Sequence, residues 1–152
     1  MRLLFLGDMV GRSGRVVVFE QLPDLIQSLK ADFVIVNGEN AANGFGVTQA
    51  ILDSTIEAGA DVMTTGNHVW DQKEALSFAD QEERFLRPAN YPAGTPGRGV
   101  NVYEARNGAR VMVMNLMGRV FMHPELDDPF ACGEAILADG PLGSAADVVF
   151  VD

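Results

Sequence analysis

Short runs of apolar residues alternate with longer segments of helical periodicity over the first half of the chain. The runs predict buried strands at Leu3–Leu6, Phe33–Val36 and Val62–Thr65. Between the first two, residues 16–29 carry apolar side chains at helical spacing, and Pro23 within them predicts a kink or two short helices. Residues 49–58 predict another helix, with Thr48 as its N-cap. This alternation of strand and helix predicts a parallel α/β sheet.

The second half of the chain has a different pattern. We expect a short helix over 71–79, a loop over 88–101 and a second short helix over 130–138. Two apolar segments, 100–105 and 110–116, flank an Asn-Gly pair, which is typical of a β-hairpin and indicates a second sheet or an antiparallel addition.

The last apolar run, residues 148–151, has the composition of a central strand and is followed by Asp152. A domain that stops on such a strand would be unusual. We therefore expect residues 1–152 to be the C-terminally incomplete part of one larger domain.

Composition narrows the classes of function. The chain is 47% hydrophobic, as globular proteins are, and its formal net charge is −10. An acidic chain does not favour nonspecific binding to nucleic acid or to an anionic membrane. Cys132 is the only cysteine, and no apolar run is long enough to cross a membrane, so we expect a cytoplasmic protein. An anionic substrate would need another attraction, such as bound metal cations.

Each of the three N-terminal strands ends in a glycine that is followed by polar residues. These ends are Gly7-Asp8, Gly38-Glu39-Asn40 and Gly66-Asn67-His68. They recur at about the length of one βαβ unit. We therefore expect them to meet at the carboxyl edge of one parallel sheet, where open α/β folds place their sites.

The side chains at these ends suit a metal site. Asp8, Glu39, Asn40 and Asn67 offer only oxygen donors, and His68 adds an imidazole. Hard divalent cations prefer oxygen ligands, and imidazole extends the choice to iron, manganese and zinc. Two such ions about 3.5–4 Å apart form the clamp used in phosphoester hydrolysis. The alternative interpretation is that Asp and Asn follow these strands because they favour turns and helix caps.

Other residues carry weaker signals. The glycine pattern of a dinucleotide-binding loop is loosely resembled by Gly7, Gly11 and Gly14, but their spacing is wrong for it. Arg12 and Arg15 are equally compatible with a phosphate contact and with a solvated position. His123 precedes a proline in a loop, and we expect it to be solvated rather than a ligand.

At the three strand ends the sequence resembles the calcineurin-like metallophosphoesterases, whose most specific motif here is Gly-Asn-His. It is most similar to the bacterial branch that hydrolyses 2′,3′-cyclic nucleotides. This similarity lies in Gly7–Arg12, Asn37–Ala42, Thr65–Asp71, Gly118–Phe121 and Asp127–Phe130. The resemblance implies a four-layer αββα sandwich with a mostly parallel sheet, of which this chain would cover rather more than half.

The resemblance also implies the role of each site residue. Two divalent or iron-type ions, Fe, Mn or Zn, would be bound by Asp8, Glu39, Asn40 and Asn67. Glu39 would bridge the two ions, and His68 would donate a proton to the leaving oxygen, as an imidazole does readily near neutral pH. Val10 stands where the wider superfamily usually has histidine, and the later histidine ligands of the family are not in this sequence.

The implied protein is a metal-dependent phosphodiesterase whose substrate is a small phosphoester or a cyclic nucleotide. The other hypothesis is a non-catalytic nucleotide-binding or regulatory module on the same fold. The enzyme is favoured by the intact Asp8, Glu39, Asn67 and His68, whereas the missing histidines favour weak activity for residues 1–152. No feature indicates a partner protein, and a homo-oligomer is compatible with the sequence.

Overall fold

The first sheet contains four parallel strands in the order in which they occur along the chain. The computed structural model describes all residues from Met1 to Asp152. The strands are β1 (Leu3–Leu6), β2 (Phe33–Asn37), β3 (Val62–Thr64) and β4 (Phe85–Leu86). The three predicted strands are confirmed. The pattern does not predict β4, because its two apolar residues lie between Arg84 and Arg87.

Helices lie between these strands: α1 (Gly11–Leu29), α2 (Gln49–Glu57) and α3 (Ala75–Phe78). The Thr48 side chain accepts a hydrogen bond from the Ile51 N–H and so caps α2 as predicted. The predicted break at Pro23 is wrong, since α1 is one helix of 19 residues. Pro23 is exposed, so the carbonyl group that it leaves without a partner can be solvated.

The third helix is shorter than predicted. Residues 71–74 form turns, in which the Asp71 N–H donates to the His68 carbonyl and the Ala75 N–H donates to the Gln72 carbonyl. These bonds span three residues rather than the four of an α-helix. The turns leave the Asp71 side chain free to contact His68, as described below.

The second sheet contains the predicted hairpin and the last strand. Its strands, in spatial order, are β5 (Val100–Glu104), β6 (Arg110–Met114) and β7 (Val148–Val151). The pair β5–β6 is antiparallel and β6–β7 is parallel. Between β6 and β7 lies α4 (Pro129–Asp139), capped by the Asp128 carboxylate, which accepts from two N–H groups of the first turn. The hairpin therefore belongs to a separate sheet.

The two sheets stack face to face between outer helices. Phe33, Ile35 and Val62 of the first sheet share a core with Val111 and Val113 of the second. On the other face of the first sheet, Val34, Val36 and Met63 pack with Leu22 of α1 and Leu52 of α2. On the outer face of the second sheet, Met112 and Met114 pack with Ile136 of α4. The order helix, sheet, sheet, helix confirms the expected four-layer α/β sandwich.

Two strands predicted to be buried lie at sheet edges instead. β1 pairs only with β2, and its Phe5 is 37% exposed. β7, expected to be central, pairs only with β6, and its Val151 is 50% exposed. Within residues 1–152 each of these strands thus pairs on one side only, because an apolar run does not encode how many neighbours a strand has. The expectation that β7 is central to a larger sheet stays a prediction. The two edges lie on one side of the sandwich, since the rings of Phe5 and Phe150 are 5.0 Å apart.

No helix is long and apolar enough to span a bilayer.

Candidate active site

The three polar strand ends meet at the carboxyl edge of the first sheet. The Asn40 amide donates a hydrogen bond of 2.7 Å to Asp8 Oδ1, which joins the first end to the second. The Gly38 N–H donates to the Thr64 carbonyl over 2.9 Å and joins the second end to the third. These hydrogen bonds confirm the prediction that the loops carrying Asp8, Glu39 and Asn67 meet at one edge of the sheet. Their roles as ligands stay predictions.

Asp8 has an unusual backbone conformation. Its φ is 53°, in the left-handed region that few residues other than glycine adopt. Asp tolerates this region better than most residues because its side chain is short and polar. In this loop the Asp8 carboxylate accepts a hydrogen bond from the distant Asn40. Residues in such conformations cluster at functional sites, where the surrounding structure holds them in place.

Glu39 carries the clearest electrostatic signal. Its Oε2 is buried and has no hydrogen-bond partner. Burial raises the pKa of the Glu39 carboxyl, and the nearby charge of Asp8 raises it further. The backbone N–H groups of His68 and Asn67 partly offset this shift in pKa, but neither completes a hydrogen bond to Oε2.

At the third strand end, Gly66 lies directly against the Glu39 carboxylate. A Cβ atom at Gly66 would collide with the Glu39 carboxyl group, so any other residue there would displace that carboxyl group. Gly46 fulfils a similar role nearby, since a Cβ there would approach the His68 carbonyl to 2.9 Å.

A cation would complete the coordination that Glu39 lacks. An unpaired buried carboxyl oxygen beside a second carboxylate is stabilised by bound positive charge. No three His, Cys, Asp or Glu side chains come together anywhere in the chain, so a metal here would also need amide oxygens. Asn40 and Asn67 offer them at the same sheet edge. The residues present therefore fit an oxygen-liganded divalent or iron-type ion.

His68 is held by residues that the sequence analysis missed. Its Nδ1 lies 2.6 Å from Asp71 Oδ2. The Phe45 ring meets the imidazole edge-on, with 5.1 Å between ring centroids. With Nδ1 engaged by Asp71, Nε2 is left for a substrate. Asp71 lies within the segment Thr65–Asp71 that carries the family resemblance, and the spacing His-x-x-Asp is a sequence signal that could have indicated this pair.

Asp152 connects the two sheets beneath the site. Its Oδ2 accepts from the Asn37 amide at 2.8 Å and from the Thr64 hydroxyl at 2.5 Å. Asn37 in turn accepts from the Glu39 N–H at 3.2 Å. The end of β7 thus holds the ends of β2 and β3 at the candidate site. No sequence pattern could indicate contacts across such separations.

The remaining candidates have different surroundings. Arg15 donates to the Ala41 carbonyl and so supports the second strand end, whereas Arg12 is exposed. His123 is exposed as expected, but it also lines a cavity that His68 borders.

This sandwich, with its polar site at the carboxyl edge of a parallel sheet, matches known proteins along its length. Residues 4–152 match the family described as YmdB-like protein, and the chain belongs to this family. It is 46% identical over its 152 residues to the 2′,3′-cyclic-nucleotide 2′-phosphodiesterase of Bacillus subtilis, of which it covers 56%. The resemblance to the bacterial branch that hydrolyses such nucleotides is thereby confirmed.

Two crystal structures have the same fold. A hypothetical protein from Thermus thermophilus superposes with a TM-score of 0.88 at 41% identity, and the match covers 99% of this chain and 56% of that one. A phosphatase from Mycoplasma pneumoniae superposes equally well, with a TM-score of 0.88 at 30% identity over 99% of this chain and 53% of its own. The chain thus spans somewhat more than half the length of these relatives.

Proposed function

We propose that the protein is a metal-dependent phosphodiesterase that hydrolyses 2′,3′-cyclic nucleotides through a dinuclear metal centre. The observation that carries the proposal is the buried, unpartnered Oε2 of Glu39 beside Asp8, at the same sheet edge as the His68–Asp71 pair. The name of the Bacillus subtilis relative supports the substrate class. Because the chain spans only part of its relatives, the activity is proposed for the whole protein.

The ions would be held by Asp8, Glu39, Asn40 and Asn67, with Glu39 bridging. When bound, they would supply the positive charge that attracts the phosphate and stabilises charge in the transition state. By holding the ions, the two carboxylates and two amides would set where the phosphate binds. The absence of a side chain at Gly66 leaves room for the Glu39 carboxyl at this edge.

His68 is the proton donor in this mechanism. Water attacks phosphorus and releases a proton to the solvent, and the bond from phosphorus to the ester oxygen breaks. That oxygen receives a proton from His68 Nε2, and the imidazole then regains a proton from the solvent. Asp71 engages Nδ1 at 2.6 Å, orients the ring and stabilises the protonated imidazole. The edge of Phe45 limits rotation of the ring.

Metal analysis and hydrolysis assays together test the proposal. We expect Glu39→Gln to lower bound manganese more than Asn67→Ala, because the carboxylate offsets the charge of both ions and the amide supplies one neutral oxygen. The exposed Glu57→Gln on α2 is the matched control and should bind metal as the wild type does. Equal metal content in wild type and Glu39→Gln would contradict the bridging role.

The non-catalytic alternative gives a different result in the same assays. A nucleotide-binding module would retain adenosine 2′,3′-cyclic phosphate without converting it, even in a form of the protein as long as its relatives and loaded with metal. Conversion to the nucleoside monophosphate is the expected outcome, measured by chromatography of the products.

A further inference from the structure

A second cavity, which Glu39 does not line, is bordered by His68. Its volume is about 340 Å³, within the range of about 300–1,000 Å³ that holds small ligands. Asn67, His68 and Asp71 form one wall, and residues 121–124 form the other. Asn67 and Met122 also line the cavity that contains Glu39, so the two cavities adjoin. His68 therefore stands at the border of a continuous site.

Phe121 is exposed at the mouth of this second cavity. The residue is 98% exposed, although leaving an aromatic ring in water forgoes the free energy of burial. Its φ is 61°, a left-handed conformation that is unfavourable for a bulky residue. Neither the exposed ring of Phe121 nor its left-handed backbone stabilises the fold. Residues in such strained conformations are typical of ligand sites. Phe130 is also 83% exposed, but it starts a helix and lines no cavity.

We infer that this cavity binds the nucleobase of the substrate and that Phe121 provides its stacking surface. The inference rests on the proposed function. His68 protonates the oxygen that leaves phosphorus, and in a nucleoside cyclic phosphate that oxygen belongs to the ribose. The nucleoside therefore lies on the His68 side of the phosphate, where this cavity is.

The character of the wall indicates how the base is recognised. Phe121, Met122 and Pro124 present apolar surface, and His123 adds a second ring. Every base has a face that stacks on an aromatic ring, so such a wall accepts bases with little regard to their identity. Asn67 and Asp71 on the opposite wall offer hydrogen bonds to the ribose. The cavity thus selects nucleosides over other phosphoester groups.

Binding of adenosine and of ribose to an isotopically labelled form of the protein as long as its relatives tests the site without requiring activity. We expect adenosine, but not ribose, to shift the amide NMR signals of Asn67, His68 and Phe121. Phe121→Ala should weaken adenosine binding by about 5- to 150-fold, the loss typical of one stacked base. Phe121→Trp should retain binding, and the matched control Phe130→Ala should bind as the wild type does. Shifts confined to other residues, or equal affinity in Phe121→Ala and wild type, would overturn the inference.

Hydrolysis separates the base site from the proposed activity. In a form of the protein as long as its relatives, Phe121→Ala should raise KM for adenosine 2′,3′-cyclic phosphate and leave kcat/KM for base-free ribose 2′,3′-cyclic phosphate unchanged. An equal loss on both substrates would overturn the base site and leave the proposed activity standing. Absence of hydrolysis of both by the wild type would overturn the proposed function, and the adenosine titration then decides the base site on its own.

Discussion

At the scale of single residues, the candidate site places charges where folding alone would not favour them. The Glu39 carboxyl is half-buried near Asp8, its buried Oε2 has no partner, and burial and this neighbouring charge raise its pKa. Asp8 itself has a left-handed backbone. Removing an unpaired carboxylate from water costs several kcal/mol unless a proton or cation neutralises it. A protein retains such an arrangement when the charges serve binding or chemistry.

The His68–Asp71 pair gives a prediction at the same scale. In a form as long as its relatives, we expect His68→Ala to lower kcat by about 10²–10⁴-fold, the usual contribution of a general acid, while metal stays bound. The loss should be much smaller with a nitrophenyl ester, whose leaving oxygen needs no proton. Asp71→Asn should show the same dependence on leaving group with a smaller loss, because it acts by orienting His68.

The control for this experiment is Asp53→Asn on α2, an exposed carboxylate that bonds only to Gln49 on its own helix. It should leave the turnover of both substrates unchanged. A uniform loss across leaving groups in His68→Ala would indicate that His68 binds substrate or supports the fold instead of donating a proton.

At the scale of elements, β7 is held to the second sheet by backbone pairing with β6 and by one ion pair at its start. The Asp147 carboxylate accepts from the Arg110 N–H and guanidinium, each at 2.8 Å, and the Asp147 N–H donates to the Arg110 carbonyl. Hydrogen bonds from Arg110 lower the pKa of Asp147 to about 2. The other end of β7 bears Asp152, so this strand connects the ion pair to the candidate site.

The ion pair predicts how stability depends on pH. The pKa of Asp147 is lower in the folded chain than the value of about 3.9 typical of an unfolded one, so its ionised form stabilises the fold. This contribution is complete above about pH 5 and is lost as the pH falls from about 4 to 2. We therefore expect Asp147→Asn to lower the urea midpoint modestly at pH 7, and the difference from wild type to vanish near pH 2.

The partners of this pair are about half exposed, so the effect is small and calls for a matched control. Asp139→Asn, at the exposed end of α4, should not reproduce the effect. A difference between Asp147→Asn and wild type that is constant across pH would show that the side-chain charge is not the stabilising element.

At the scale of the whole molecule, apolar surface collects on one side. The open edges of β1 and β7 lie together there, as the contact between Phe5 and Phe150 shows. Beside β1, a groove of about 540 Å³ runs along α1 and is lined by Val17 and Leu25, which are 59% and 36% exposed. Unpaired strand edges and contiguous apolar surface favour pairing with another chain.

This surface predicts self-association of residues 1–152. Sedimentation velocity over a range of concentrations should detect oligomers, and Val17→Lys should shift the distribution toward monomer. Leu76→Lys on α3 is the matched control, since Leu76 is 50% exposed and lies outside the groove. A form of the protein as long as its relatives should cover this surface and associate less. A concentration-independent monomer of residues 1–152 would contradict the prediction.

The local pattern of the sequence determined the elements and the chemical character of the site. Apolar runs with the correct length and flanks predicted β1, β2, β3 and the β5–β6 hairpin, because strand formation depends on nearby side chains. The glycine before each polar strand end and the spacing of one βαβ unit predicted that those ends would meet. Such features are encoded within about 30 residues of sequence, so they can be read without the fold.

The tertiary structure decided which neighbours each element and side chain has. Whether β1 and β7 lie at edges depends on how many strands pair with them, and an apolar run is the same in either case. The contact of Asp152 with Asn37 spans 115 positions, and the packing of Phe45 against His68 depends on how two loops approach each other. The unpartnered state of Glu39 Oε2 likewise follows from what surrounds it. These properties are set by the path of the whole chain through space, because burial and hydrogen bonding join residues that no local period relates.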